Sequence, residues 1–350
     1  MFKANVFLLF VLFFAQANVV QAKHSSCDHA LSLLVEKVEE NYAGYPDKNR
    51  DRIELVKKQI DERINNNPDN ECLLYLSQWL ESFSDPQLKV THLVAKTQDS
   101  YTEIEESDQS VTLELLSKDI ALITLPSFRQ ELTSDIADLR DKYYSMLMSV
   151  QGLIIDLRGN DEGSLMAMHP VIELIGAYDY HSRWHVLSSP PNTLFYRQQL
   201  AEDRLNRNPE LFKIFSELVV NMNTFPNTWL EYSWPPVSHD KMLTNLEMVY
   251  IIQNGEVAFS GEEFIIAAKT NDKVTTFGST TKGELDYAQP ITHQILGKYG
   301  VHIPSQKRVW YQLGPIDNVG IAPDVALDIS DDSFVDYLHQ KMVEQFNSAK

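Results

Sequence analysis

The chain changes its hydrophobic rhythm near residue 90. Before that point apolar positions recur every three or four residues: Leu31, Leu34, Val35, Val38 and Tyr42, then Ile53, Val56, Ile60 and Ile64. That spacing lays one apolar stripe along each of two helices. The cluster Asn65-Asn66-Asn67-Pro68-Asp69-Asn70 breaks the pattern, and Leu73 to Phe83 predicts a third helix. Residues 28–84 thus read as a small three-helix cap. Beyond residue 90, strands alternate with helices. Val111-Thr112-Leu113-Glu114-Leu115 and Ile120 to Leu125 flank the polar Ser117-Lys118-Asp119 and predict a hairpin. A helix over 131–149 leads into the apolar run 152–157. Met248-Val249-Tyr250-Ile251-Ile252 predicts another strand, ended by a turn at Asn254-Gly255. A helix over 262–269 and short strands near 273–277 and 308–313 follow. This alternation predicts an α/β domain. The run 152–157 is apolar at successive positions, so it belongs at the centre of a sheet with both faces covered.

Periodicity fails over residues 178–245, which are rich in Trp, Tyr, Pro and Asn. Leu200 to Val220 predicts a helix or two. An insertion of this texture either covers a cleft or packs over a sheet face.

Composition sharpens this picture at the ends. With 350 residues, 43% of them hydrophobic, the chain can bury a large core and a smaller second one. Lys3, the apolar stretch Val6 to Ala15 and the small-residue site Val20-Gln21-Ala22 form a secretory signal peptide, with cleavage after Ala22. The other reading is a membrane anchor, but the apolar core is about ten residues where a span needs ~20. The mature chain is expected to be secreted or periplasmic, with no membrane insertion after cleavage. Lys3 is the only charged side chain before residue 23, so cleavage makes the formal net charge of −19 one unit more negative. Such an acidic chain is repelled by nucleic acid and by anionic membranes, which excludes both as main partners. The two cysteines, Cys27 and Cys72, either form one disulfide or stay as free thiols.

Candidate chemistry concentrates after the central strand. Gly152 to Leu157 runs into Arg158-Gly159-Asn160-Asp161-Glu162-Gly163-Ser164. Glycine and asparagine tolerate positive φ, so the strand can end in a tight loop whose N–H groups face a ligand. Gly159, Asn160, Asp161, Glu162 and Gly163 are the candidate oxyanion loop. No metal or cofactor site is expected. The ten histidines lack a His-x-x-x-His pair with an intervening glutamate, and His181 and His185, four apart, flank Trp184 near Pro190. Neither a glycine-rich phosphate loop nor a glycosidase-like carboxylate pair is present.

The run after Gly152 resembles the DLRxNxGG signature of the tail-specific, or C-terminal-processing, serine proteases. Other segments resemble that family in its own order. Asn41 to Tyr45 is similar to its Glu-Asn-Tyr region, and Pro126-Ser127-Phe128 to the end of the strand before the core helix. Ser260-Gly261-Glu262-Glu263-Phe264 resembles the nucleophile turn. Phe277 to Gly283 resembles the Gly-x-x-Thr-x-Gly segment, and Gly320 to Asp324 the closing Gly-x-x-Pro-Asp motif. The resemblance implies an α/β fold with a ClpP/crotonase-like core under the helical cap. Only ~30 residues separate cap from core, too few for a PDZ insert. The chain is thus similar to short forms related to the tricorn core and the retinoid-binding-protein repeats. The implied organisation is signal peptide 1–22, cap 23–89, protease-like domain 90–330 with insertion 178–245, and C-terminal helix 331–350. The implied partner is a peptide or an unfolded protein segment.

At the catalytic positions the chain departs from the family. Anchoring on Glu262 and Phe264 puts the nucleophile's place at Phe259, whose ring has no nucleophilic atom. Ser260 lies one residue later, where its side chain turns away and where it fits a helix N-cap with Glu263 in a capping box. In the lysine-base branch, Glu284 falls in the base's place. Lys282 is close by, as a substitute base or as a solvated lysine. In the histidine branch, Gln87 replaces the histidine, and an amide takes no proton at neutral pH. Asp317 matches that branch's acid. Glu162 replaces the first of the paired glycines, where a carboxylate would repel a developing oxyanion. Two functions follow as expectations. One is a degenerate family member that binds a peptide or extended ligand without cleaving it. The other is an active serine endopeptidase using Ser260, with Lys282 or a histidine of the insertion as base.

Overall fold

The computed structural model describes residues 26–66, 71–93, 110–176, 180–201, 208–238, 240–309, 314–328 and 333–348. The expected signal peptide, residues 67–70 of the Asn-rich cluster, His239 and the end of the strand expected near 308–313 lie outside them.

The cap consists of α1 (Ser26–Asn41), α2 (Arg50–Asn66) and α3 (Cys72–Glu81). Its stripes bury Leu31, Leu34, Val38, Ile53, Ile60 and Ile64, as the spacing predicts. A disulfide between Cys27 and Cys72, Cα atoms 5.4 Å apart, ties the start of α1 to the start of α3. A cross-link over this sequence separation of 45 residues contributes about 2–4 kcal/mol.

Two sheets carry the rest. The first combines β2 (Thr112–Ser117), β3 (Ile120–Thr124), β4 (Gly152–Asp156), β7 (Met248–Gln253), β8 (Val274–Gly278) and β11 (Val325–Ala326), in the order β11-β8-β7-β4-β3-β2. All neighbours are parallel except the β2–β3 hairpin. All five β4 residues are buried, and β4 lies between β3 and β7. Alternation explains the unbroken apolar run. Leu153 and Ile155 face a core shared with α5 (Leu165–Ile175) and α8 (Ser260–Ala268). Ile154 faces the opposite core, closed by Phe334, Leu338, Met342 and Phe346 of α9 (Ser333–Ser348). Full burial of each of these side chains contributes roughly 1.5–3 kcal/mol. The helix expected over 131–149 is α4 (Thr133–Leu147).

The second sheet joins β1 (Lys89–His92), β5 (Arg183–Leu187), β6 (Trp229–Ser233), β9 (Tyr287–Ile295) and β10 (Tyr299–Arg308). All its pairings are antiparallel. Most of it goes beyond the hydrophobic pattern. β10 is buried through Ser305, Gln306 and Arg308, polar residues whose partners are tertiary. The insertion supplies β5, β6, α6 (Pro190–Gln199) and α7 (Pro209–Thr224). The helical signal over Leu200 to Val220 falls on α7, which starts at Pro209, while Leu200 is the C-cap of α6. Ser189 and Asn208 cap these helices, each with proline behind it. Among the described residues no helix is long and apolar enough to cross a membrane.

Candidate active site

The turn between β7 and α8 holds the unusual backbone. Phe259 has φ 46° and ψ −113°, a conformation that non-glycine residues adopt only when their surroundings enforce it. The enforcement is visible on both sides. Ala258 N–H donates to the Asn160 carbonyl at 3.0 Å, and Lys282 N–H donates to the Val257 carbonyl at 2.9 Å. Gly261 N–H donates to Ala258 and Glu263 N–H to the Phe259 carbonyl, both at 2.9 Å. A Cβ at Gly261 would sit 2.6 Å from the Asn160 carbonyl oxygen, so glycine lets α8 press against the loop after β4. This is a strand-to-helix elbow, and Phe259 stands at its apex.

Two buried carboxylates anchor α8. Glu262 accepts from Thr281 Oγ1 at 2.5 Å, Gly283 N–H at 2.8 Å and Glu284 N–H at 2.9 Å. Glu263 accepts from Ser182 Oγ at 2.6 Å and from Arg308 Nε at 2.8 Å. Burial pushes both carboxyls above the ordinary range, and these donors pull the other way.

The loop after β4 divides its residues. Asn160 is buried and donates through Nδ2 to the Leu125 carbonyl at 2.9 Å. Gly159 N–H donates to Asn254 Oδ1 at 3.2 Å. Asp156 and Arg158 pair with each other at 2.7 Å. Glu162 and Gly163, by contrast, line a cleft beside Phe259. Gly163 has a φ of +136°, which L side chains rarely adopt, and a Cβ there would lie 2.1 Å from the Phe128 carbonyl, so the bridge Phe128–Gly163 admits only glycine. The Glu162 carboxylate is half-exposed and sits 3.4 Å from Arg129 Nε.

The cleft, about 610 Å³, also takes in Gln87, Phe259 and Ser260. Apart from Phe259, its aromatic wall comes from the insertion: Trp184, Phe195, Tyr196, Phe215, Tyr232 and Trp234. The insertion therefore both packs over the second sheet and faces the cleft. Sequence reasoning missed these six residues individually; their signal was the aromatic composition of 178–245.

The remaining candidates lie elsewhere. Lys282 Nζ pairs with Glu284 Oε1 at 3.1 Å, and neither lines the cleft. Asp317 accepts from Asp286 N–H at 2.7 Å beneath the cap, where burial and then the Asp286 charge push its carboxyl up to about 8. Among the described residues no histidine lines the cleft. His185 belongs to β5, not to a helix with His181, and lies 3.4 Å from Glu231. Among the described residues no three metal-ligating side chains come together.

The N-cap reading of Ser260 is corrected. Phe259 holds the cap position, so Ser260 is the first helical residue, and Glu263 turns to Arg308 instead of closing a capping box. The Ser260 hydroxyl is buried and has no hydrogen-bond partner among the described residues.

A mostly parallel sheet, a strained elbow before α8 and the loop after β4 pressed against that helix define an α/β fold with its site at the elbow. The model of peptidase family S41 matches residues 119–327, more than half of the chain, and the chain belongs to that family. Its structure is similar to mature CPAF complexed with lactacystin, with a TM-score of 0.66 at 10% identity, over 93% of this chain and 100% of that one. It is also similar to a lipoprotein from Streptococcus agalactiae, with a TM-score of 0.54 at 14% identity, over 97% and 100%. No curated protein matches by sequence.

Proposed function

We propose that this family member binds an extended peptide in the cleft beside α8 and does not cleave it. One observation carries the reading: the elbow apex bears Phe259. Peptide hydrolysis through an acyl-enzyme needs a nucleophile at hydrogen-bond reach of a base, with donors aimed at the developing oxyanion. The apex side chain is a phenyl ring. Gln87 enters the cleft but accepts no proton, and Lys282 is engaged by Glu284 outside it. What persists is a shaped cleft, a helix N-terminus and an enforced turn, all of which serve binding.

The competing reading, an endopeptidase using Ser260, draws on its unpartnered hydroxyl at the cleft wall. A fluorophosphonate probe and an unfolded peptide substrate separate the two. We expect no covalent adduct and no cleavage, together with saturable peptide binding. Labelling at Ser260 that Ser260→Ala abolishes would establish the peptidase instead. Phe259→Ser alone restores little activity, because members of a catalytic unit are not additive and Gln87, Glu162 and Glu284 remain.

We also propose export, with the mature chain starting at Lys23, cap 23–89, peptidase-like domain 90–330 and C-terminal helix 331–350. N-terminal sequencing of protein from its native source tests this, and an intact Met1 would refute it.

A further inference from the structure

The cleft's two ends differ in chemistry. At the insertion end the polar handles of Trp184, Tyr196 and Tyr232 are already used. Trp184 Nε1 donates to Ser182 Oγ at 2.8 Å, and Tyr232 O–H donates to Gln306 Oε1 at 2.8 Å. Gln306 Nε2 in turn donates to Tyr196 Oη at 2.5 Å. These bonds turn the hydroxyls and the indole N–H into the protein and leave carbon for a ligand. Phe215 packs edge-on to Trp234, centroids 6.0 Å apart, and Phe195 edge-on to Tyr196 at 5.5 Å. A wall of ring carbon selects a large apolar group.

At the elbow end the ligand meets polar groups. Ser260 lines the cleft, and its buried hydroxyl has no partner among the described residues, at the N-terminus of a nine-residue helix. A ligand oxygen brought to this hydroxyl would satisfy it. Its charge is decided by the rim. Glu131 is exposed, while Glu162 is matched by Arg129, which leaves the rim one negative charge in excess. On a chain of formal net charge −19, this disfavours a ligand carboxylate and favours a neutral main-chain carbonyl with a cation nearby.

We infer that the cleft reads an internal polypeptide segment, not a free chain end: a large apolar side chain against Trp184, Phe195, Phe215 and Trp234, followed by a basic residue at Glu131. The inference rests on the peptide-binding reading above. The segment's carbonyl accepts from Ser260 Oγ, and the apolar side chain supplies most of the affinity.

Fluorescence anisotropy on the full mature chain tests it, using a labelled, N-acetylated and C-amidated octapeptide of Gly and Ser with a central Phe-Lys pair. Replacing the peptide's Phe by Ser is expected to weaken binding roughly tenfold or more. Replacing Lys by Glu, or ending the peptide in a free carboxylate directly after Phe, is expected to weaken it several-fold, less so in high salt. Trp234→Ala is expected to mimic the loss of Phe. The exposed Glu131→Gln is expected to remove the Lys preference while leaving thermal unfolding unchanged, which keeps the test valid if Trp234→Ala misfolds. Equal or tighter binding of the free carboxylate, or indifference to Phe, would overturn this inference while peptide binding without cleavage stands. Cleavage of the octapeptide, or no binding of any peptide, would overturn the underlying reading as well.

Discussion

Adjacent glutamates on α8 are held in opposite ways by the two halves of the molecule. Glu262 faces the Thr281–Glu284 loop and is satisfied by one hydroxyl and two backbone N–H groups. Glu263 faces the second sheet and is satisfied by a full cation, Arg308, with Ser182 completing it. The first arrangement uses the fixed dipoles of the loop after β8. The second recruits the insertion and β10, and through Ser182 reaches the indole of Trp184 in the cleft wall. The elbow is thus braced from one side by the dipoles of a loop and from the other by the elements that shape this chain's cleft.

Breaking the ionic brace gives the largest effect. Arg308→Met leaves Glu263 buried without its cation and is expected to destabilise by about 3–5 kcal/mol in chemical denaturation. Adding Glu263→Gln should recover most of that loss; no recovery would mean that the pair is not the brace we describe. On the dipolar side the loss is smaller. Glu262→Gln keeps one acceptor oxygen but turns an NH₂ group towards backbone donors, at an expected cost of about 1–3 kcal/mol. If it proved as damaging as Arg308→Met, the contrast between the two sides would fail.

A second dipolar cluster lies beneath the cap. There Asp286 accepts from the N–H groups of Ile316 and Asp317, and Asp317 accepts from Asp286 N–H. The Asp317 carboxyl is raised to about 8, against about 4 in an unfolded chain. The folded state holds that proton while the unfolded state has released it. The contribution to stability is therefore complete below pH ~4 and lost as pH rises towards 8. His169, lowered to about 4 by burial, acts oppositely and only below its unfolded value of about 6.5. Between pH 6.5 and 8 the melting temperature should fall, and Asp317→Asn should flatten the decline. An unchanged slope in that variant would remove Asp317 as the cause.

The smallest effect is expected at Ser260. Because its hydroxyl caps nothing and is buried without a partner, Ser260→Ala should change stability by less than about 0.5 kcal/mol or raise it slightly. A cost of 1 kcal/mol or more would restore a structural role for that hydroxyl.

The sequence by itself determined what depends on local repetition. Stripes such as Leu31, Leu34 and Val38 meet one core whatever lies beyond, so the cap helices were legible. The run Leu153-Ile154-Ile155 needs cover on both faces, so its central place was legible too. The turn glycines and the ordered motifs marked the family. Tertiary structure decided the rest. The β9–β10 hairpin is buried through polar residues such as Ser305 and Arg308, whose satisfaction depends on partners 16 and 45 residues away. The role of Ser260 turned on where α8 begins, a matter of one residue set by the backbone of Phe259 and by the contact of Gly261 with Asn160. The aromatic wall was visible only as composition. Trp184, Phe215 and Trp234 become one surface because β5, α7 and the segment after β6 fold together, and no period along the chain records that meeting.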